Sequence, residues 1–335
     1  MKYFDRSNIA SWFVVFLTFV IFPFHSVTYA QKDEITSEDW PVGVIARYDD
    51  HGAGIPLETA LKMGVSAIQL KAPFPDHRTK RDAKIILDKV SKAGVQITSM
   101  QSGFTNESYK TIPIVRETVG LIPQKTRNER IEQFKSVCDF ARELNLNIVC
   151  FHIGFVPHDS QDPDYIDVIK MTQSICDYAK GKGQRIHLET GQEPGDVLLR
   201  FIEDVDRDNL FINFDPANMI LYGCDDPIIT LKKVGKYVKS CHCKDALWAD
   251  HSQDSDSQTT KKRGLDWGTE VPFGQGDVNA ELFLQTLKEI GFKGALIVER
   301  ENKHQPEKQQ QEAKDAVVLI EQLKAKMFND NISQH

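Results

Sequence analysis

The sequence predicts a single (β/α)8 barrel, and three observations carry that expectation. Eight short apolar runs, rich in Val, Ile or Phe, read as strands buried on both faces. Amphipathic stretches separate them, the alternation of an α/β chain with a parallel sheet. Glycines fall where the helical stretches should end, at Gly64, Gly94, Gly183, Gly291 and Gly294. The runner-up is a doubly wound open sheet. Against it, no Gly-rich phosphate loop follows the first strand, where Val42–Tyr48 runs into Asp49-Asp50-His51-Gly52.

In chain order, strands are expected at Val42–Ala46, Ala67–Lys71, Val95–Met100, Asn147–His152, Arg185–Glu189, Leu210–Asp215, Val238–Lys244 and Ala295–Glu299. Between them, helices are expected at Leu57–Met63, Arg81–Ala93, Arg127–Leu144, Pro163–Lys180, Pro194–Asp204, Pro227–Val234 and Ala280–Ile290, with Pro306–Phe328 closing the chain. Three connections after strands are long: Gln101–Lys125, Gly154–Asp162 and Ala246–Asn279. Loops of that length are usually functional or disordered. All three would sit on the strand C-terminal rim, where barrel active sites are built. The almost wholly polar Asp250–Arg263 reads as a flap or solvated excursion.

Of the 335 residues 41% are apolar and 27% charged, too globular a composition for a disordered tail or a collagen. The 48 acidic residues outnumber the 41 basic ones, for a net charge of −7, which argues against a nucleic-acid partner. Six cysteines are too few for a disulfide scaffold, and they read as small buried apolar side chains. The chain opens with Lys2 and Arg6, then an apolar run from Trp12 to Phe24, then Thr28-Tyr29-Ala30 as a small-x-small cleavage site. That run is short for a bilayer span, which needs roughly 20 residues. Residues 1–30 are therefore expected to be a signal peptide, with an uncleaved anchor as the alternative, and residues 31–335 the barrel of an exported protein.

The chemistry concentrates at the ends of the last strands. Glu189 closes Arg-Ile-His-Leu-Glu, Asp215 closes Leu-Phe-Ile-Asn-Phe-Asp, His242 sits within Ser-Cys-His-Cys-Lys-Asp, and Glu299 closes Ala-Leu-Ile-Val-Glu. A lone glutamate there is usually a surface residue or a cap. Four successive strand ends would converge on one rim position in a barrel, and three carboxylates with one imidazole suit a single divalent ion such as Mn²⁺, Mg²⁺, Co²⁺ or Zn²⁺. Packed carboxylates repel one another and want a cation.

These segments resemble the sugar isomerase/epimerase TIM barrels related to xylose isomerase. The resemblance is carried by His187-Leu188-Glu189-Thr190-Gly191-Gln192-Glu193, Asn213-Phe214-Asp215-Pro216-Ala217-Asn218, His242-Cys243-Lys244-Asp245, Pro272-Phe273-Gly274-Gln275-Gly276-Asp277 and Val298-Glu299-Arg300-Glu301. It implies that Glu189, Asp215, His242 and Glu299 hold one divalent metal, that Glu189 and Glu299 are the catalytic acid/base pair, and that the protein forms a homo-oligomer. The implied reaction is proton transfer next to a carbonyl through an enediolate, giving an isomerase or epimerase; expulsion of a β-substituent would instead make a 3-keto-glycoside lyase. Three positions depart from the ketose 3-epimerase pattern: Asn218 replaces a substrate-touching His, Trp248 an Arg, and Gly195 a second Glu. The metal chemistry thus transfers better than free ketose 3-epimerisation.

Further candidates carry two readings each. His152 reaches substrate or is a hydrogen-bonded core histidine. Lys244 shares the face of His242 and meets a substrate oxygen or pairs with a rim carboxylate. Asn218 and Gln192 hold sugar hydroxyls or cap loops. His187 supports the site from beneath or packs in the core, and Lys71 is similarly open. Trp248 and Trp267 stack on a sugar or anchor their loop, and Asp277 reads as a helix cap. Two other function classes compete. A DNA-repair nuclease of the same superfamily would want histidines where Asn218 and Lys244 stand. A non-catalytic exported sugar-binding barrel would not need both glutamates.

Overall fold

A computed structural model describes residues 40–50, 52, 54–249, 267–302 and 304–329 of the protein. The expected signal peptide and the Asp250–Arg263 excursion lie outside the described residues. The barrel strands are β1 (Val42–Arg47), β3 (Ala67–Lys71), β4 (Gln96–Gln101), β5 (Ile148–Phe151), β6 (Arg185–Glu189), β7 (Leu210–Phe214), β8 (Val238–Cys243) and β11 (Leu296–Val298). They run parallel in chain order, and β11 pairs with β1 at Val44↔Val298 to close the ring. A short β2 (Ile55–Pro56) flanks β1, and a hairpin of β9 (Asp245–Leu247) and β10 (Thr269–Val271) rises from the end of β8.

The helices are α1 (Leu57–Ala60), α2 (Lys80–Ala93), α3 (Ile112–Thr118), α4 (Gln124–Glu143), α5 (Pro163–Lys180), α6 (Gly195–Val205), α7 (Pro216–Leu221), α8 (Pro227–Val234), α9 (Ala280–Glu289) and α10 (Pro306–Asn329). Their starts are written in the sequence. Thr79, Asp162 and Asp226 cap α2, α5 and α8 with side-chain oxygens on first-turn amides, and Pro163 and Pro227 stand where no amide is needed. Ala83, Ile86 and Val90 bury one stripe of α2, and Gly94 ends it at φ +67°. Asn279, rather than the expected Asp277, caps α9; the Asp277 carboxylate instead accepts from the Trp248 amide at 2.8 Å. Among the described residues, no helix is long and apolar enough to cross a membrane.

Strand parity divides the interior. Even-numbered residues of β1, such as Val42, Val44 and Ala46, pack outward into the large core beneath the helices, whereas Ile45 turns inward to meet Ala67, Ala295 and Ile297 in a separate small cluster. On the same inward rows stand Gln69 two residues after Ala67 and Glu299 two after Ile297. Polar side chains therefore emerge at the strand C-terminal mouth.

The hairpin is built around Asp245. Its carboxylate accepts from the amides of Ala246 (2.9 Å), Gly274 (2.9 Å), Gly276 (3.0 Å) and Val278 (3.1 Å). The Pro272–Asp277 segment is thus a turn wrapped on a buried anion. A Cβ at Gly276 would lie 2.2 Å from Asp245 Oδ1 and 2.6 Å from the Ala246 carbonyl oxygen. Gly276→Ala is expected to cost about 3 kcal/mol in urea denaturation; wild-type stability would show that the turn does not grip Asp245.

Candidate active site

Glu189 ends β6, Asp215 follows β7, His242 lies in β8, and Glu299 follows β11. All four are buried, and each offers one ligand atom within 4.8 Å of the others. His242 Nδ1 lies 3.3 Å from Glu189 Oε1, 3.5 Å from Asp215 Oδ2 and 3.1 Å from Glu299 Oε2. The local sequence explains the aim of each group. Asp215 is the N-cap of α7, with Pro216 after it; Oδ1 accepts from the Asn218 amide at 3.0 Å, which leaves Oδ2 turned to the centre. On the far side of the His242 ring, Nε2 lies 2.8 Å from Gln69 Oε1, which leaves Nδ1 facing the carboxylates.

Both Asp215 Oδ2 and His242 Nδ1 are buried without a hydrogen-bond partner. Such orphaned atoms are costly, and two of them aimed into a space shared with two more carboxylates fit a divalent ion. Hard oxygens plus one imidazole match the Mn²⁺, Mg²⁺, Co²⁺ and Zn²⁺ preference. The four residues could therefore hold a metal.

The electrostatics are strongly perturbed. Burial works against the charge of Glu189, but His152 and His242 outweigh it and hold the carboxyl well below its usual range. At Glu299, burial is likewise overcome by Lys244 and His242, and the carboxyl stays ionised. Burial dominates at Asp215 and raises it despite Lys244. Burial opposes a charged His242, yet Glu189 and Glu299 draw a proton onto it when no cation stands among them.

Of the other expected site residues, His152, Lys244 and Asn218 are gathered here. His152 Nε2 lies 3.1 Å from Glu189 Oε1, and Asn218 Nδ2 donates to the same oxygen at 3.2 Å. Lys244 pairs with rim carboxylates: its ammonium is 3.3 Å from Glu299, 3.7 Å from Asp215 and 3.2 Å from Glu301, and it donates to Asn218 Oδ1 at 3.2 Å. Gln192 is buried beside the Tyr222 hydroxyl, one step further out. His187 sits one layer below, with Nδ1 2.8 Å from Ser240 Oγ, and burial lowers its pKa to about 3. Trp267 is an anchor, packed edge-on against Tyr222 at 4.8 Å. The six cysteines are free, and all but the half-buried Cys224 are buried.

Sequence reasoning passed over Gln69, Gln101 and Asn213. Gln101 donates to Glu189 Oε2, and Asn213 Nδ2 lies 3.0 Å from His242 Nε2. The available signal was a polar residue at inward parity within an apolar strand, the same signal that marked Glu189. Glu193 belongs to the segment that follows β6. It is buried, accepts from the Val156 amide at 2.9 Å, and burial pushes its carboxyl up to about 8. Between its ordinary value and about 8 the unfolded chain has lost this proton and the folded chain keeps it. Stability is therefore expected to fall as pH rises through that window, by up to about 1.4 kcal/mol per pH unit. Glu193→Gln should flatten the fall; identical pH–stability curves would show that the carboxyl ionises freely.

A profile of the xylose isomerase-like TIM barrel family matches residues 57–322. The chain belongs to that family. The crystal structure of a xylose isomerase domain protein from Planctomyces limnophilus is 46% identical, with a TM-score of 0.81 over 87% of this chain and 99% of that one. An inosose dehydratase of Clostridium tetani is 22% identical over 144 residues, 42% of this chain and 48% of the relative. The chain spans about half the length of the curated relatives it matches. A structure of IolI protein with a bound zinc atom shares the fold, at 18% identity and a TM-score of 0.61 over 85% of this chain and 99% of that one.

Proposed function

We propose that the chain is a divalent-metal-dependent carbohydrate isomerase or epimerase that moves a proton next to a carbonyl. The observation that carries this reading is the convergence of Glu189 and Glu299 on the space shared by Asp215 Oδ2 and His242 Nδ1. Glu189, Asp215, His242 and Glu299 would hold the ion, and the zinc in IolI protein supports a metal at such a fold. When bound, the ion supplies Lewis acidity to a substrate carbonyl and its neighbouring hydroxyl, which acidifies the adjacent C–H.

The chain's own groups do the proton work. Glu299, kept ionised by Lys244, is suited to take a proton from carbon and release it to water, and Glu189, bonded to Asn218, Gln101 and His152, can return to carbon a proton that it receives from the His152 imidazolium. Return to the other face of the same carbon inverts it, and return to the neighbouring carbon interconverts aldose and ketose. The Lys244 ammonium and the His152 ring are placed to hold developing negative charge on substrate oxygen. Asn218 and Gln192 are the donors for sugar hydroxyls. Burial of every one of these groups except the His152 edge keeps bulk water from the reacting carbon.

A second reading is elimination, in which the same carbanion expels a β-substituent; the similarity to inosose dehydratase favours it. Export, as expected from residues 1–30, suits an unphosphorylated carbohydrate. The test is incubation of residues 31–335 with Mn²⁺ and a panel of ketoses and 3-keto-glycosides in D₂O, read by NMR. Deuterium beside the carbonyl supports the reading and the product separates isomerase, epimerase and lyase. No exchange on any substrate, with Mn²⁺ bound, turns it toward a sugar-binding barrel.

A further inference from the structure

The connection after β4 is long, yet it is held at several points. The Glu107 carboxylate accepts from the amides of Phe104 at 3.0 Å and Gly120 at 2.8 Å, which ties the start of the loop to its end. Arg130, buried on α4, donates to the carbonyls of Thr105 at 2.9 Å and Gly120 at 2.8 Å. Thr118 Oγ1 accepts from the Ser108 amide at 3.1 Å. Holding so long a connection in one shape is entropically costly, and what it holds out, next to Ser108, is the ring of Tyr109.

That ring is 42% exposed and lies 6.1 Å, centroid to centroid, from the His152 ring, itself bonded to Glu189. Its phenol is pushed well up, by burial first and then by the charges of Glu107, Glu189 and Glu301. Tyr109 thus presents a half-exposed ring beside the His152–Glu189 pair. Tyr222, which Phe155 meets edge-on at 5.7 Å and Trp267 at 4.8 Å, keeps its hydroxyl among Gln192, Glu301 and Lys244. An exposed aromatic ring held rigidly beside a polar, ionised site suits a ring-shaped group that stacks.

Resting on the proton-transfer reading above, we propose that Tyr109, beside His152, forms an outer subsite for a second ring, and that the substrate is a glycoside rather than a free monosaccharide. The reacting sugar occupies the floor between Glu189 and Glu299. The ring attached to it, sugar or aryl, lies beyond His152 against Tyr109.

The Mn²⁺-loaded full chain is titrated calorimetrically with methyl β-D-glucopyranoside, phenyl β-D-glucopyranoside and cellobiose. At least one two-ring probe is expected to bind roughly tenfold tighter than the methyl glycoside, and whichever it is names the ring as aryl or sugar. Tyr109→Phe should keep that preference and Tyr109→Ala should erase it. Equal affinities for all three probes, no binding by any, or a preference that survives Tyr109→Ala overturns the proposal. Deuterium exchange without a ring preference removes this inference alone; a ring preference without exchange removes only the proton-transfer reading.

Discussion

Glu299→Gln is expected to lower deuterium incorporation beside the substrate carbonyl by about 10³-fold or more, in the range set by loss of a general base. The amide cannot accept a proton from carbon, while its size and its contact with Lys244 are kept. Glu189→Gln should do comparable damage, because the return proton passes through it. The double variant should be little worse than either single one, since residues that act as a unit are not additive. The rate is read by NMR in D₂O at saturating Mn²⁺, so that weaker metal binding is not mistaken for lost proton transfer. Exchange within threefold of wild type in Glu299→Gln would remove that residue from the chemistry.

Lys244→Met is expected to produce the largest loss of stability of any substitution at the mouth. The ammonium is buried between Glu299, Asp215 and Glu301, and its removal leaves the buried Glu299 and Asp215 with His242 alone to balance their charge. Breaking a buried pair in this way costs about 3–5 kcal/mol. Burial works against the Lys244 charge, but Glu299, Glu301 and Asp215 hold its pKa well above the ordinary lysine value, so the charge is present throughout the working pH range. The loss is read by urea denaturation in the presence of a chelator. Added Mn²⁺ should restore more stability to Lys244→Met than it adds to wild type, because the ion supplies the compensating charge that the variant lacks. An unchanged unfolding midpoint in the variant would show that Lys244 is solvated.

Much of this was legible in the sequence. All eight barrel strands stand within about two residues of their apolar runs, because strands covered on both faces must be apolar. The four strand-end ligand candidates were legible for the same reason: an ionisable residue closing such a run has nowhere to point but the mouth. What was hidden depends on contacts across the ring. Gln69 and Gln101 look like ordinary strand residues until closure brings Gln69 to His242 and Gln101 to Glu189. The α3 helix was lost within a long connection because Pro113 and a short apolar stretch give it no period. Tyr109 carries no signal at all, since its position comes from Glu107 and Arg130 clamping the loop.

The central claim is that Glu189, Asp215, His242 and Glu299 form one metal site. Calorimetric titration of Mn²⁺ into chelator-treated protein tests it most directly. One equivalent per chain should bind, and Asp215→Asn combined with His242→Ala should abolish it. No binding in wild type, or binding unchanged in the double variant, would contradict the account.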